Sequence, residues 1–179
     1  MAPTTFQTKN FLALIPITPH IGLSNVRIKG TKRAKTIALP GPYLRNHFSV
    51  ATTFTTRVLN TTVVNDITGC SLGTNQITLP AGSYIATAFS PFRNTNLTKI
   101  RLYNVTDSTN TAIGQGINCE SASGVGGIAS VQAQFVLTGS KTFAVQYYCQ
   151  TATATFGLGR AVNAGISEIY TTIQIQKFA

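Results

Sequence analysis
Residues 75–106 allow a strand ladder and no helix. Ile77 and Leu79 alternate with Gln76 and Thr78, the two-residue period of a half-buried strand. Pro80-Ala81-Gly82 breaks that ladder, because proline has no N–H to give and glycine accepts turn conformations closed to other residues. A second run, Ser83 to Ser90, is rich in Tyr, Ile, Thr and Phe, and Pro91, Arg93, Asn94, Thr95 and Asn96 supply the next loop. In a third run, Lys99 to Val105, Ile100 and Leu102 point one way and Arg101 and Tyr103 the other. The segment therefore predicts strand, turn, strand, loop, strand.

The flanking sequence behaves alike. From His47 onward the strand signal is nearly continuous, with a first strand around Phe48, Val50 and Phe54 and a second over 58–67. Ser71 to Asn75 reads as a turn, Asp107 to Thr111 as a polar hairpin loop and Ala112 to Cys119 as a short strand. Val131, Ala133, Phe135 and Leu137 alternate with Gln132, Gln134 and Val136. Phe143, Val145, Tyr147 and Cys149 alternate inward, and a last strand over 169–177 sets Ile169, Thr171, Ile173 and Ile175 against Tyr170, Thr172 and Gln174. Many short strands at this spacing predict an all-β antiparallel sandwich over 47–179.

Residues 1–46 read differently. Pro3, Pro16 and Pro19 break any helix, yet Phe11, Leu12, Leu14 and Ile15 are too apolar for a solvated tail. Leu39-Pro40-Gly41-Pro42 is the strongest break, which puts a boundary near residue 46 and predicts an extended N-terminal arm before the sandwich. Charge is concentrated there. The chain carries +10, but residues 1–46 hold Lys9, Arg27, Lys29, Lys32, Arg33, Lys35 and Arg45 and no acid. The apolar run at 11–15 is far shorter than the ~20 residues of a membrane helix, so no membrane partner is expected.

The inventory for chemistry is thin. Charged residues are 10% of the chain, against ~25% in an average globular protein. Asp66, Asp107, Glu120 and Glu168 are dispersed, and His20 and His47 have no companions at triad or ligand spacing. Gly157-Leu158-Gly159-Arg160 does not lead into a helix, so it reads as a loop and not a phosphate cradle. Cys70, Cys119 and Cys149 are odd in number, and none of their spacings suits zinc; they are expected to be buried and reduced, and nothing requires a Cys119–Cys149 bridge. No enzyme, cofactor or metal is expected.

Leu79-Pro80-Ala81-Gly82-Ser83-Tyr84, the run from Lys99 to Asp107, Lys141 to Thr151, Gly157-Leu158-Gly159 and Glu168 to Ile175 follow one another in an order that resembles small jelly-roll domains of bacteriophage structural proteins. These domains are similar in turn to the trimeric tumour-necrosis-factor and complement globular-head sandwiches. The resemblance spans roughly residues 47–178. It implies a jelly-roll β-sandwich, a homotrimer, and a virion location after assembly in the host cytoplasm. Trimers of this kind bury aromatics around their axis, which makes Tyr103, Tyr148 and Tyr170 the expected interface residues. The arm, through Arg27, Lys29, Lys32, Arg33 and Lys35 with Phe11, Leu12, Leu14 and Ile15, would dock on a major capsid protein or other virion protein. The expected role is thus a capsid decoration or short head-fibre subunit. The alternatives are a receptor-binding tail-fibre tip that meets a host surface receptor, and a small-virus capsid protein whose basic arm meets genome. Nucleic acid is not the expected partner, because the arm is apolar as much as basic.

Overall fold
The computed structural model describes residues 8–14, 17–18, 21–22, 25–29, 49–120, 122–162, 164–165 and 168–178. In chain order the strands are β1 (Thr8–Leu14), β2 (Ile17–Thr18), β3 (Ile21–Gly22), β4 (Asn25–Lys29), β5 (Thr55–Thr56), β6 (Thr62–Asn65), β7 (Ser71–Gly73) and β8 (Gln76–Leu79). They continue as β9 (Gly82–Arg93), β10 (Asn96–Asn104), β11 (Thr109–Ile113), β12 (Ile117–Cys119), β13 (Gly126–Leu137), β14 (Lys141–Cys149) and β15 (Thr172–Phe178). Among the described residues there is no helix.

Two antiparallel sheets face each other. One runs β13-β9-β15-β1-β4, with β6 also on β1; the other runs β11-β10-β14-β8-β7, with β12 on β10 and β5 on β14. Neighbours distant in sequence lie side by side, as β9 does between β13 and β15, which is the arrangement of a jelly roll and not of a meander. The inward residues follow the predicted alternation. Tyr84, Ala86, Ala88 and Phe92 of β9, Ile100 and Leu102 of β10, Phe143, Val145, Tyr147 and Cys149 of β14, and Ile173 and Ile175 of β15 are all buried. Rings join the sheets across the core: Phe92 to Tyr147 at 5.8 Å and Phe135 to Phe143 at 5.2 Å between centroids. Such pairs add ~0.5–1.5 kcal/mol beyond the area they bury.

The turns follow their side chains. β7 and β8 are joined through Thr74 and Asn75, both at positive φ (52° and 64°), the backbone of a tight hairpin whose twist suits its strands. The expected turn over 71–75 is therefore half strand. Tyr84 Oη donates to Pro80 O at 2.8 Å and ties β9 back over the Pro80-Ala81-Gly82 break. β9 runs on through Pro91 to Arg93, past the loop expected there, and turns at Asn94, whose φ of 56° asparagine tolerates better than most residues. Residues 49–61, expected to be mostly strand, contribute only the short β5, which pairs with β14 through Thr55 and Thr56.

The leading segment departs most from expectation. Thr8–Leu14 pairs with β15 from Thr8↔Phe178 to Ala13↔Ile173, and β4 and β6 pair with β1 in turn. β1 and β4 are thus strands of the six-stranded sheet, where an arm beyond the sandwich was expected. The physical reason is that β15 offers an open row of N–H and C=O groups on the side away from β9, and an extended apolar segment satisfies them. Pro16 follows β1 closely in sequence, where a residue without an N–H suits the end of a ladder. The boundary placed near residue 46 lies outside the described residues.

The three cysteines are free and buried. Burial pushes the Cys70 thiol up to about 12 and raises Cys119 and Cys149 as well, so little thiolate forms near neutral pH. An aromatic disulfide reagent should therefore label all three about a hundredfold more slowly in the native protein than in denaturant, since labelling waits on opening of the fold. Fast native labelling of any one would contradict this packing.

At the β10–β11 turn, Lys141 Nζ lies 2.6 Å from Asp107 Oδ1, and Asn104 Nδ2 donates to Asp107 Oδ2 at 2.9 Å. The hydrogen bond from Lys141 is the main cause that lowers the Asp107 carboxyl; its charge and the Asn104 amide add to this, against a smaller opposing desolvation. A carboxyl whose folded value lies below its unfolded one stabilises the fold above the unfolded value, and the contribution fades as pH falls through the folded one. Asp107→Asn should accordingly flatten the stability profile below about pH 4, where an unfolded aspartate begins to take up its proton. Urea midpoints measured between neutral and acid pH test it.

Candidate functional site
Each sheet has an outer face, and the two differ in chemistry. On the six-stranded sheet, register places Ser130, Gln132, Gln134 and Val136 of β13 beside Phe89, Thr87, Ile85 and Ser83 of β9, with Thr172, Gln174, Gln176 and Phe178 of β15 beyond. None of these is charged. Phe89 is 47% and Val136 72% exposed, and Ile128, earlier on β13, is 65% exposed. Over the paired stretch from Ser83 to Phe89 the outward side chains of three strands are amide, hydroxyl and hydrocarbon, with Arg93 at the end of β9 the cation on the same alternation; a central stretch of this kind is unusual for a solvated face, which is normally rich in Lys and Glu. It is the composition of a surface that meets another protein.

The outer face of the seven-stranded sheet is aromatic and cationic. Arg101 of β10 lies with its guanidinium carbon 3.7 Å from the Phe54 ring centre and 4.4 Å from that of Tyr103. Its Nε and Nη2 donate to Gln146 Oε1 at 2.9 and 2.6 Å, and Nη1 donates to Asn110 Oδ1 at 2.8 Å. Phe54 also meets Tyr148, at 5.7 Å between centroids. The cation is thus held by rings and neutral amides. Partial desolvation lowers its pKa, with the Tyr103 hydroxyl acting the other way.

The three expected interface tyrosines separate. Tyr103 and Tyr148 lie on this aromatic face, half-buried, as alternation required. Tyr170 does not: it is 8% exposed, and burial is the main cause that pushes its hydroxyl up to about 12, with the charge of Glu168 adding. β15 begins only at Thr172, so the two-residue alternation projected back from it fails. Tyr170 and Thr171 are both buried in succession, while Ile169, expected inside, is 49% exposed. The Tyr170 ring covers Gly159, whose φ of +114° and missing Cβ are both needed: a Cβ there would lie 2.4 Å from the ring. Of the docking residues, Phe11, Leu12 and Leu14 lie in β1, and Arg27 and Lys29 in β4, at the end of the six-stranded sheet's path. Ile15, Lys32, Arg33 and Lys35 lie outside the described residues, as do His20 and His47.

Sequence reasoning passed over Arg57. It is 3% exposed, with Nε donating to Thr171 Oγ1 at 2.7 Å and Nη2 to Leu158 O at 3.2 Å. Its guanidinium carbon sits 5.2 Å from the Phe92 ring centre and 5.8 Å from that of Tyr147. A single arginine between two polar threonines and a valine gives no local sign of burial.

Comparison with solved structures adds the fold. Murine APRIL at pH 8.5 superposes with a TM-score of 0.52 and 9% identity, covering 96% of this chain and 99% of that one. Murine APRIL at pH 8.0 matches at 0.46 and 7% identity, covering 96% and 99%. No family model matches the chain, and no curated protein does. The likeness to the first of these over nearly the whole of both chains, together with the two antiparallel sheets, shows the fold of this chain as an all-β jelly-roll sandwich.

Proposed function
We propose that this chain is a non-enzymatic structural protein that acts as a homotrimer, its subunits meeting through the outer face of the six-stranded sheet. The observation that carries this reading is the uncharged exposed surface around Phe89, Gln132 and Val136. A monomer has no use for such a face, whereas a closed ring of copies hides it without desolvating a charge. The trimeric families that the sequence resembles support the choice of three copies. The acids support a structural role, because Asp107 is held by Lys141, Glu120 accepts from Ser123 and Glu168 accepts from the Val162 N–H.

Within that reading the protein is a capsid decoration or short head-fibre subunit of a virion, assembled in the host cytoplasm. Arg27 and Lys29, at the margin of the sheet on β4, begin the basic run through Lys35 that would meet an acidic patch on a neighbouring virion protein. Sedimentation equilibrium at micromolar concentration tests the first part: the expected mass is three times the 19.0 kDa of one chain. A single-chain mass would sink the proposal. Co-sedimentation with purified particles, lost when Arg27 and Lys29 are both changed to glutamate, tests the second.

A further inference from the structure
The other sheet carries a cleft of its own. Phe54, Leu97, Lys99, Ile117, Asn118 and Tyr148 line a cavity of about 660 Å³, within the size range of small-molecule sites. Three strands build it: β10 supplies Leu97 and Lys99, β12 places Asn118 opposite Leu97, and β14 places Tyr148 opposite Lys99. Gly116 leaves room on the rim, with the Lys99 side chain passing 3.8 Å from where a Cβ would stand. Leu97 is 59% exposed, so an apolar wall faces water across from two rings. Among the described residues Lys99 has no carboxylate partner; the ion pair found there is Lys141 with Asp107.

The geometry points to this cleft as a binding site for an acidic sugar, a pyranose that carries a carboxylate. The C–H face of a pyranose presents weakly positive hydrogens, which suit the negative face of the Tyr148 or Phe54 ring. Lys99 is the unmatched charge for the carboxylate, and the Asn118 amide can both donate to and accept from ring hydroxyls. A fatty acid would fit the apolar wall and the lysine but would leave that amide unused. A neutral sugar would leave the lysine unused. The face as a whole favours an anion, since Arg101 is held beside the cleft by neutral groups alone. The site lies on the sheet opposite the proposed subunit contact, so its failure would leave the trimer reading untouched.

The test is an NMR titration of the full-length protein with N-acetylneuraminic acid, glucuronic acid, N-acetylglucosamine and decanoate. At least one acidic sugar should shift the amides of Lys99, Asn118 and Tyr148, and which one does so distinguishes a terminal sialic acid from a uronic acid as the natural source. Lys99→Gln should weaken that binding about tenfold through loss of one charge-assisted hydrogen bond. It should also bring the affinity down to that for N-acetylglucosamine, while Tyr148→Ala should remove both. Three outcomes would overturn the assignment: neither acidic sugar shifts these residues at millimolar concentration, Lys99→Gln binds as the parent does, or decanoate alone occupies the cleft.

Discussion

Arg57→Ala should destabilise the fold by about 3–5 kcal/mol, the range for truncating a large buried side chain and leaving a buried carbonyl unpaired. Against the 5–15 kcal/mol of an ordinary domain that is a large share. The alanine would empty the space beside Phe92 and Tyr147 and leave the Leu158 carbonyl without its donor. Yet the positive charge is itself a cost. Burial lowers the guanidinium from 12.5 to about 10, which corresponds to roughly 3 kcal/mol of disfavoured charge. Two effects therefore oppose each other, and a second variant separates them. Arg57→Met keeps most of the bulk and removes the charge, while Thr171 retains its 3.0 Å partner Ser90. The methionine variant also leaves the Leu158 carbonyl without its donor, so it should lose about 1–2 kcal/mol, less than alanine by the cavity that alanine leaves. Urea unfolding of both proteins decides the matter. Equal losses would mean that the charge, and not the volume, is what this part of the core requires.

The second large effect concerns assembly. Thr87 lies mid-face on the six-stranded sheet, flanked by Gln132 on β13 and Gln174 on β15. Thr87→Arg would place a cation with no carboxylate among the outward neighbours named on that face. Buried in a subunit contact, an unpaired charge costs several kcal/mol per copy, and each copy in a trimer would bear it. The expected result is a folded monomer with an unchanged β-sheet circular dichroism spectrum and one third of the sedimenting mass. Thr109→Arg, at an exposed position on β11 of the other sheet, should stay trimeric. A Thr87→Arg protein that keeps three copies would place the contact on another face.

Much of this molecule follows from period alone. Ile77 with Leu79, Ile100 with Leu102 and Val145 with Tyr147 each flank a polar residue, and each pair is buried in its strand. Alternation is a local property: the pleat itself sends successive side chains to opposite faces. Hence the β class, the inward residues and the outward placement of Tyr103 and Tyr148 were all legible. Tyr170 was not, because alternation carries information only where the backbone is a strand, and β15 begins two residues later.

The remainder depended on which strand lies beside which. That Thr8–Leu14 joins the sheet next to β15 is a pairing over 160 to 170 residues of chain, and hydrogen bonds between strands leave no mark on the sequence of either one. Arg57 came to the core for a similar reason: its partners Leu158 and Thr171 are supplied by loops about a hundred residues away. Residue order alone determined the sandwich and its lining. The three-dimensional pairing decided that the middle of one outer face is uncharged across three strands while the other gathers Phe54, Lys99, Arg101 and Tyr148, since a face belongs to neighbouring strands jointly and to no single stretch of chain.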